Sequence, residues 1–500
     1  MFKKVLIANR GEITVRITKT LQEMGIKTVS IFSDTDKIAP HVTIADEAYP
    51  LNGVSPSETY LNIEKIIQIA KESNIDAIHP GYGFLSENAV FAQACQDAGI
   101  KFIGPSPKVI EAMGDKIIAK KTMKDAGVPI IPGWTGDTID FGEIKKAAGS
   151  IGYPVLVKAA AGGGGKGMRL VNSSSELEAA IESASREAKK AFGDGRIFLE
   201  KYITNPRHIE FQIFGDNHGN IIHLFERECS IQRRHQKIIE ESPSSVLTPD
   251  LREKMGEAAI KAAKAIGYTN AGTVEFIVDK NKKFYFLEVN TRLQVEHPVT
   301  ESVIHGDLVK AQVLIASGEK LHLSQKDLKQ DGHAIECRVY AEDPENNFFP
   351  STGTLYVYKE PTGPGIRVDS GVIEGTEISV HYDPMLAKVI AWAKTRDSAI
   401  EKMLWALSNY PVLGIKTNIS FLHDLISHES FRCGDIDTHF LERFPINEII
   451  KNKEEPMSIL ISSLLLNDRK RKSIEKKLVQ PVNEMIQADP WVMGGNWKII

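Results

Sequence analysis

The chain has 500 residues, which is longer than one ordinary globular domain and predicts several domains. Hydrophobic residues make up 42% and charged residues 25%, a composition typical of proteins that fold in water. Because Lys and Arg total 61 against 65 Asp and Glu, we expect neither nucleic acid nor a membrane as a partner. The four cysteines have no paired spacing, which favours a reducing, cytoplasmic compartment.

The first segment, residues 1–113, alternates strand and helix patterns. Val5–Ala8 and Thr28–Phe32 are short apolar runs, and the helical spacing between them ends at Gly25. Two later strand ends are Ala77–Pro80 and Phe102–Pro105. This alternation predicts a parallel sheet of the Rossmann-like kind.

The first turn of that sheet, Asn9–Glu12, is where a dinucleotide-binding domain carries its phosphate-binding glycines. The G-x-G-x-x-G fingerprint is absent there. We therefore expect a Rossmann-like sheet that does not bind a dinucleotide.

A glycine tract lies between two apolar strand patterns, Val155–Lys158 and Met168–Val171. Glycines let the backbone approach a ligand and point N–H groups at phosphate oxygens, and Lys158 and Lys166 add positive charge. A flexible linker is the alternative interpretation. The flanking strands favour a hairpin tip instead, so the tract predicts a mobile lid over phosphates. Its glycines are Gly162, Gly163, Gly164 and Gly165.

The run Lys283–Arg292 predicts a strand whose polar side chains share one face. Glu288, Asn290 and Arg292 alternate with other residues, so successive members lie about 6.6 Å apart along the strand. Oxygen ligands of this kind suit a Mg²⁺ ion shared with nucleotide phosphates. The spacing therefore predicts a magnesium site.

A second carboxylate, Glu275, comes from the preceding strand. If Lys280-Asn281 is a two-residue hairpin turn, Glu275 lies opposite Phe286 and diagonal to Glu288, roughly 7–8 Å apart between backbones. A solvated acidic face is the alternative. It is disfavoured because Phe284 and Phe286 would then be exposed on the same face. A register slip of one residue would turn Glu275 to the other face.

The segment Arg227–Lys237 is dense in hydrogen-bond donors. Beyond the metal strand, Arg292, Gln294 and Glu296 share a face while the chain stays extended. Cations and an amide beside Glu296 predict a small-anion pocket next to a general base. A simple basic patch is the alternative, but it does not account for the other polar residues of the segment.

From residue 331 to 445 the pattern changes to short strands separated by Gly and Pro turns, which predicts an α+β domain. Beyond residue 446 the tail is rich in Lys and Glu and helical in pattern. Its apolar run, Met457–Leu466, is too short to span a bilayer. The tail either docks a partner or packs back on the core.

These motifs together resemble the biotin carboxylases of the ATP-grasp superfamily, which include the amino-terminal parts of acetyl-CoA, propionyl-CoA and pyruvate carboxylases. The resemblance covers about residues 1–445, and the stretch Asn290–Glu301 is highly specific. The matching stretches are Ile7–Ile13, His79–Asn88, Met113–Lys116, Lys158–Met168, Glu200–Tyr202, Pro206–Glu210, Glu228–Lys237, Glu288–Glu301 and Glu336–Pro344.

The resemblance implies an α/β fold in four parts. The first two are an N-terminal Rossmann-like biotin carboxylase domain at 1–113 and an ATP-grasp domain at 114–330, whose lid is expected at about 131–203. The others are a C-terminal α+β, barrel-sandwich-like domain at 331–445 and the extension at 446–500.

The resemblance also implies site residues, motif by motif. The implied ATP-binding residues are Lys116, Lys158, Gly162, Gly163, Gly164, Gly165, Met168, Glu200, Lys201, Ile203, His208, Gln232, His235, Leu287 and Glu288. The implied metal ligands are Glu275, Glu288 and Asn290, and the implied bicarbonate pocket is Lys237, Arg292, Gln294, Val295 and Glu296. Biotin is expected near Tyr82 and Arg338, and the catalytic residues are Glu296, Arg292, Arg338 and Lys237.

Three positions depart from the family pattern. Ala161 stands where many relatives have glycine, and Lys166 replaces a frequent arginine. Both changes keep the loop small-residue-rich and positively charged. Thr438 replaces an aliphatic residue expected near the adenine, so we expect that contact to differ.

The implied activity is that of a ligase that uses ATP, bicarbonate and Mg²⁺ or Mn²⁺ to carboxylate biotin on a separate biotin carboxyl carrier protein. The biotin-bearing Ala-Met-Lys-Met tetrapeptide does not occur in the sequence. The implied partners are the carrier, a second copy of this chain and a carboxyltransferase subunit. The reaction is the first half-reaction of an acyl-CoA carboxylase.

Three other interpretations stay open. The chain could be the biotin carboxylase subunit of a two-subunit pyruvate carboxylase, which performs the same half-reaction. It could be another ATP-grasp ligase that joins a carboxylate to an amine, or a catalytically idle nucleotide-binding regulator, which Glu296 and Arg338 argue against. The sequence does not determine whether the final acceptor is acetyl-CoA, propionyl-CoA or pyruvate.

Overall fold

A computed structural model describes residues 1–135, 140–160, 168–321, 323–445 and 449 of the chain. All of these residues belong to one compact unit, Met1–Ile450. None of the helices in the described ranges is long and apolar enough to cross a membrane.

The N-terminal region alternates strands and helices as its sequence pattern predicts. Its elements are β1 (Lys4–Ile7), α1 (Gly11–Glu23), β2 (Lys27–Phe32), α2 (Pro40–Thr43), β3 (Glu47–Pro50), α3 (Ile63–Glu72), β4 (Ala77–His79), α4 (Ala89–Asp97), β5 (Lys101–Phe102) and α5 (Pro107–Gly114). The strands form one sheet in the order β3-β2-β1-β4-β5, and every neighbouring pair is parallel. The predicted parallel sheet is therefore confirmed.

The Asn9 side chain fixes the first turn of this sheet. Asn9 Nδ2 donates hydrogen bonds of 2.8 Å to the backbone oxygens of both Pro80 and Tyr82. The loop after β4, which contains Tyr82, is thereby held against the carboxyl end of β1.

A small four-stranded sheet occupies the region where the lid is predicted. Its elements, with the helix that precedes it, are α6 (Lys116–Asp125), β6 (Gly133–Thr135), α7 (Phe141–Ile151), β7 (Val155–Ala159), β8 (Arg169–Val171), α8 (Leu177–Phe192) and β9 (Ile197–Lys201). The order is β6-β9-β7-β8, and all pairs are antiparallel. The two strands that flank the glycine tract therefore pair as a hairpin, as predicted.

The rest of the described chain contributes the following elements. They are β10 (Arg207–Gly215), β11 (Ile221–Arg233), β12 (Gln236–Ser242), α9 (Pro249–Ala265), β13 (Asn270–Val278), β14 (Phe284–Asn290), α10 (His297–Ile304), α11 (Leu308–Ala316), β15 (His333–Tyr340), β16 (Glu342–Asp343), β17 (Phe349–Pro350), β18 (Gly353–Thr354), β19 (Val357–Tyr358), β20 (Ile366–Ser370), β21 (Glu377–Ile378), β22 (Met385–Ala393), α12 (Arg396–Ser408), β23 (Val412–Leu413), α13 (Ile419–Ser427), α14 (Glu429–Arg432) and α15 (Phe440–Arg443). Short 3₁₀ turns lie at Asp34–Asp36, Gln325–Asp327 and Pro344–Asn346.

An eight-stranded antiparallel sheet joins the central and C-terminal regions. Its order is β14-β13-β10-β11-β12-β15-β22-β20. Strand β12, which precedes residue 330, pairs with β15, which follows it, so that Ile239 lies opposite Cys337 and Ser242 opposite Ala334. The two regions therefore share one hydrogen-bonded sheet.

The two faces of β10 and β13 have opposite character, because side chains alternate along a strand. Ile209, Phe211 and Phe276 belong to a buried apolar core that also includes residues of α9. The intervening polar residues, such as Glu210 and Glu275, lie on the other face. That polar face carries the candidate site.

The predicted turn of the β13–β14 hairpin is wrong. The turn is wider than Lys280-Asn281, because the N–H of Asp279 donates to the backbone oxygen of Lys283 at 2.8 Å. This wider turn, together with an extra residue in β14, places Glu275 directly opposite Glu288 and not diagonal to it. The prediction that these two carboxylates share a face is confirmed.

The predicted placement of the hairpin aromatics is also wrong. Leu287 is an extra residue in β14, because Glu275 pairs with Glu288 while Phe276 pairs with Phe286. Such a bulge reverses the alternation of faces. Phe286 is therefore fully buried in the apolar core, away from the carboxylates.

Beyond Asn290 the chain leaves the strand, so the extended run predicted through Glu296 is wrong. Glu296 instead immediately precedes helix α10, with φ −80° and ψ 11°. Pro298 lies in the first turn of that helix, where its fixed φ favours helix initiation.

Candidate active site

Four adjacent strands each bring a charged side chain to the polar face of the eight-stranded sheet. Glu210 lies on β10, Arg227 on β11, Lys237 on β12 and Glu275 on β13. The Lys237 side chain is 13% exposed and the other three residues are buried. Because buried charges are tolerated only when paired, their contacts define the site.

The amine of Lys237 lies among three carboxylates. Its Nζ is 2.5 Å from Glu210 Oε2, 2.8 Å from Glu275 Oε1 and 2.7 Å from Glu296 Oε1. Burial would lower the pKa of Lys237, but the three carboxylates raise it well above its ordinary value. Lys237 is therefore a fixed positive charge at neutral pH.

Glu296 is buried and ion-paired on both oxygens. Lys237 contacts Oε1, and Arg338 Nη2 lies 3.0 Å from Oε2. Burial would raise the pKa of the Glu296 carboxyl, but Lys237, Arg338 and Arg227 lower it well below its ordinary value. Although Glu296 precedes α10, its side chain makes no capping hydrogen bond to the helix. The carboxylate is thus directed at the cations.

Arg227 and Glu210 form a buried pair that the sequence reasoning did not assign to the site. Arg227 Nε donates to Glu210 Oε1 at 2.5 Å, and its Nη1 donates to Gln212 Oε1 at 2.8 Å and to Thr300 Oγ1 at 2.9 Å. These bonds link the polar face of β10 to helix α10. The alternation of polar residues along β10 was the sequence signal that could have identified them.

Arg338 pairs with Glu240, which the sequence reasoning also missed, and a second buried acid, Glu336, lies close by. Arg338 Nε donates to Glu240 Oε1 at 2.6 Å. Burial raises the pKa of Glu240 to about 7, although Arg338 opposes the shift. Glu336 lies opposite Glu240 in the sheet, and burial raises its pKa well above the ordinary value. Acidic residues inside apolar strands were the available signal.

Arg292 does not adjoin Glu296 in the way the extended pattern predicts. Its Nε donates to Glu87 Oε2 at 2.7 Å, and its Nη1 donates to Gln294 Oε1 at 2.6 Å. Among the described residues, no ion pair joins Arg292 to Glu296. Arg292 contacts Gln294, with which it was predicted to share a face, but the cations in contact with Glu296 are Lys237 and Arg338.

The three predicted metal ligands come together on β13 and β14. Asn290 Nδ2 donates to Glu275 Oε1 at 2.8 Å, and Lys116 Nζ lies 3.7 Å from Glu288 Oε2. The Glu288 side chain is 37% exposed. Two carboxylates and an amide oxygen match the ligand preference of Mg²⁺, so this residue set fits that ion.

A second cluster, His208, Glu210 and Glu275, places its ligand atoms within 4.8 Å of one another. Burial would lower the pKa of His208, but Glu275 raises it above its ordinary value. Lys237 already pairs with both carboxylates. Because both carboxylates already pair with Lys237, we interpret this cluster as part of the polar network of the site and not as a separate metal centre.

Glu200 connects two lysines at the four-stranded sheet. Lys158 Nζ lies 2.6 Å from Glu200 Oε2, and Lys120, which the sequence reasoning missed, contacts the same carboxylate. The Lys201 amine points elsewhere and donates to two backbone oxygens of the loop before β7 at 2.8 and 3.1 Å.

The other residues expected at the nucleotide have fewer polar contacts. Gln232 Nε2 lies 2.7 Å from His208 Nδ1, and His235 is exposed in the turn between β11 and β12. Three residues are partly exposed: Met168, Ile203 and Leu287. Gly162, Gly163, Gly164 and Gly165, with Ala161 and Lys166, lie outside the described residues, so the lid stays a prediction.

Two further predicted contacts lie in loops. The Tyr82 ring has its centroid 5.7 Å from the amine of Lys388. The N–H of Thr438 donates to the backbone oxygen of Pro206 at 3.0 Å, which places it near the start of β10.

The chemistry of the arrangement follows from its charges. An ionised carboxylate between two fixed cations can accept a proton from a small acid bound beside it. The cations then stabilise negative charge as it develops, because burial strengthens their attraction. The adjacent oxygen ligands and lysines suit the phosphates of a nucleotide with its metal ion.

Three family models match the chain and together cover most of it. The model described as "Biotin carboxylase, N-terminal domain" matches residues 1–110. The model "Carbamoyl-phosphate synthase L chain, ATP binding domain" matches residues 115–324. The model "Biotin carboxylase C-terminal domain" matches residues 336–443.

Curated relatives are similar over nearly the whole chain. A pyruvate carboxylase subunit of Methanothermobacter thermautotrophicus is 51% identical over 471 residues, which are 93% of this chain and 96% of the relative. Biotin carboxylase 1 of Bacillus subtilis is 52% identical over 447 residues, 89% of this chain and 99% of the relative. The chain spans only 61% of the length of the methylcrotonoyl-CoA carboxylase alpha subunit of Rattus norvegicus, at 51% identity.

A solved structure shows the same similarity. It is the biotin carboxylase domain dimer of 2-oxoglutarate carboxylase from Hydrogenobacter thermophilus, in complex with MgADP, ADP and bicarbonate. The TM-score is 0.87 at 51% identity, and the match covers 91% of this chain and all of that one.

Proposed function

The chain belongs to the biotin carboxylase family, and on that premise we propose that it uses ATP and bicarbonate to carboxylate biotin, releasing ADP and phosphate. The observation that carries the proposal is the buried Glu296 carboxylate between Lys237 and Arg338, next to oxygen ligands suited to Mg²⁺. A carboxylate so placed serves a small acidic substrate such as bicarbonate.

We assign the base to Glu296. It takes the proton of bicarbonate, and the carbonate oxygen then attacks the γ-phosphorus of ATP while the bond to ADP breaks, which gives carboxyphosphate. A bicarbonate anion beside Lys237 and Arg292 adds negative charge near Glu296. That charge raises the pKa of the Glu296 carboxyl, so binding the substrate itself makes the base more effective.

We assign Glu275, Glu288 and Asn290 to a Mg²⁺ or Mn²⁺ ion. When bound, such an ion offsets the negative charge that develops on the phosphates. Lys116, beside Glu288, and Lys158, beside Glu200, are assigned to the same phosphates. The residues are largely fixed by ion pairs before the substrate arrives, which favours catalysis by positioning.

Carboxyphosphate then breaks into CO₂ and phosphate, and the phosphate takes the ureido proton of biotin. We assign Arg338 to the ureido oxygen, where it stabilises the developing negative charge while the ureido nitrogen bonds to CO₂. Glu240 Oε1 contacts both Nε and Nη2 of Arg338, and the same Nη2 also contacts Glu296 Oε2. Tyr82 is assigned to the biotin side of the site.

The test of the function is ADP release by the full chain, measured with and without bicarbonate and free biotin. We expect cleavage of ATP to require both compounds. Cleavage that instead needs a carboxylate and an amine would favour another ATP-grasp ligase. Nucleotide binding without cleavage under any of these conditions would favour a regulator.

We also propose that biotin is presented by a carrier outside residues 1–500, and that a carboxyltransferase subunit is a further partner. The absence of an Ala-Met-Lys-Met tetrapeptide from these residues supports a separate carrier. Similarity to the biotin carboxylase domain dimer of 2-oxoglutarate carboxylase supports a homodimer. Four unpaired cysteines support a cytoplasmic location.

The acceptor of the second half-reaction is the remaining question for the complex. An acyl-CoA is our first proposal, and similarity to the pyruvate carboxylase subunit of Methanothermobacter thermautotrophicus supports pyruvate as the alternative. The expected extension at 446–500 lies almost wholly outside the described residues, so partner docking there stays a prediction. Deleting residues 447–500 tests it: unchanged co-purification of the carboxyltransferase chain would contradict docking, and the co-purified chain identifies the acceptor.

A further inference from the structure

Lys388 is a buried amine behind the site that no step above uses. It lies on β22 directly opposite Arg338 of β15, and on its other side it faces Asp369 of β20. Its side chain is 0% exposed. Because a buried ammonium is costly unless its contacts compensate, those contacts indicate what the residue does.

The closest polar contact of this amine is to the main chain. Lys388 Nζ donates to the backbone oxygen of Val295 at 2.8 Å. Its two carboxylate neighbours are farther away, with Glu12 Oε1 at 3.3 Å and Asp369 Oδ2 at 3.9 Å. The amine therefore acts first on the residue that immediately precedes Glu296.

The segment that Lys388 contacts has no regular structure of its own. Residues 291–296 lie between the end of β14 and the start of α10, and no strand partner fixes their backbone. Position in such a segment depends on hydrogen bonds from its surroundings. Lys388 supplies one of these from β22, which is hydrogen-bonded on both sides, to β15 and to β20, in the eight-stranded sheet.

We propose that Lys388 is a positioning residue that fixes Val295 and Glu296 for the binding and deprotonation of bicarbonate, an inference that rests on the proposed function. Arg338, on the facing strand, touches the carboxylate of Glu296, while Lys388 holds the peptide before it. The side chain of Glu296 is thus held from β15, and the peptide before it is held from β22. Loss of the Lys388 contact displaces Glu296 and leaves the nucleotide-binding residues in place. Small displacements of reacting groups lower the reaction rate.

The variant Lys388→Met removes the amine and keeps most of the side-chain volume. Burial raises the pKa of Glu12 to about 7, so this carboxyl can take a proton when Lys388 is gone. Asp369 keeps its pair with Arg367, whose Nη2 lies 2.7 Å away. The double variant Glu12→Gln/Lys388→Met removes the residual charge and guards against misfolding. Lys394→Met is the control, because Lys394 follows the same strand but is 70% exposed.

The measurement is ADP release as a function of bicarbonate and of ATP, together with the melting temperature. We expect Lys388→Met and the double variant to raise the KM for bicarbonate about tenfold, the effect of losing one hydrogen bond of ordinary strength, and to leave the KM for ATP within about twofold. Lys394→Met should match the unsubstituted chain.

A folded Lys388 variant with both KM values unchanged would overturn the proposal. Equal losses for ATP and bicarbonate that follow a lowered melting temperature would also overturn it, because they indicate a structural role alone. If the unsubstituted chain itself shows no bicarbonate-dependent cleavage, the proposed function fails first, and the two failures are thereby distinguished.

Discussion

At the scale of single residues, the site is a set of opposite charges that hold one another in place. Lys237 pairs with three carboxylates, and Glu296 pairs with two cations. Removing one member of such a set leaves its partner buried and uncompensated. Substitutions that keep shape but remove charge are therefore the informative ones.

Glu296→Gln keeps the shape of the side chain but cannot accept the proton of bicarbonate. We expect biotin-dependent ATP cleavage to fall about 100-fold or more, the usual share of a general base, while nucleotide still binds. Steady-state ADP release and nucleotide titration measure the two effects. Glu374→Gln, at an exposed position, serves as the control. Near-normal turnover of Glu296→Gln would contradict the assignment of the base.

Glu288→Ala removes one anionic ligand from the expected metal site. Because Mg²⁺ depends on hard oxygen ligands, we expect the Mg²⁺ concentration for half-maximal activity to rise about tenfold or more and turnover to fall. Activity measured across a Mg²⁺ series checks this, with the exposed Glu319→Ala as control. An unchanged Mg²⁺ dependence would rule out Glu288 as a ligand.

Which residues would gather at the site was predictable in part. Alternation along β14 identified Glu288 and Asn290, and the same-face position of Glu275 was correct. The partner of Arg292 was not predictable, because Glu87 lies 205 residues away in the chain. Periodicity reports on neighbours along one element, whereas such a pair depends on how distant loops meet.

At the scale of elements, the hairpin of β13 and β14 shows what sequence patterns leave out. A strict two-residue period would put Phe286 and Glu288 on one face. The extra residue, Leu287, separates them, so the aromatic ring enters the core while the carboxylate faces the site. A bulge of one residue has no strong local signature, which is why the register was wrong although both strands were recognised.

The contact between β12, β15 and helix α12 predicts a pH dependence of stability. Arg396 Nε donates to Glu241 Oε2 at 2.7 Å, and His333 Nε2 lies 2.6 Å from the same oxygen. Burial would raise the pKa of Glu241, but these partners lower it from its usual 4.5 to about 2. The stabilisation is therefore present above pH 4.5 and is lost as the pH falls toward 2.

Glu241→Gln should lower the free energy of unfolding by about 3 kcal/mol at pH 7, from the size of that pKa shift. The difference in unfolding free energy between the variant and the unsubstituted chain should shrink as the pH is lowered below about 4.5, because protonation of the Glu241 carboxyl then favours the unfolded chain. Urea unfolding at several pH values is the measurement. A difference that stays constant with pH would mean that the ion pairs contribute nothing to it.

At the scale of the whole molecule, the N-terminal and C-terminal regions touch through backbone alone at one point. A Cβ placed on Gly371 would lie 2.5 Å from the N atom of Glu12 and 2.9 Å from the C atom of Gly11. Gly371 thus allows the end of β20 to approach the start of helix α1. Few side chains could substitute there without separating the two regions.

Gly371→Ala should therefore destabilise the protein by about 1–3 kcal/mol, the usual cost of forcing atoms into a packed contact. Its control is Gly149→Ala in helix α7, where an added Cβ meets nothing within 4 Å and helix propensity improves. Thermal unfolding distinguishes the two variants. A melting temperature of Gly371→Ala equal to that of the unsubstituted chain would show that the contact has room to adjust.

The order of regions along the chain was easier to predict than their connections. Alternating strands and helices identified the parallel sheet of the first hundred residues, since each strand and its helix are local in sequence. The pairing of β12 with β15 joins segments separated by about 90 residues, and no pattern within either strand specifies its neighbour.

That pairing has a practical consequence for anyone recombining relatives of this protein. A recombination point near residue 330 would look like a domain boundary, because one family model ends at residue 324 and the next begins at residue 336. The hybrid would nevertheless combine part of one sheet from one parent with the rest from another. The two parts would meet where β12 pairs with β15, at Glu240 and Glu336 and beside Arg338. Hybrids should inherit β10 through β22 as one block, so that a single parent supplies both Glu296 and Arg338, which contacts it.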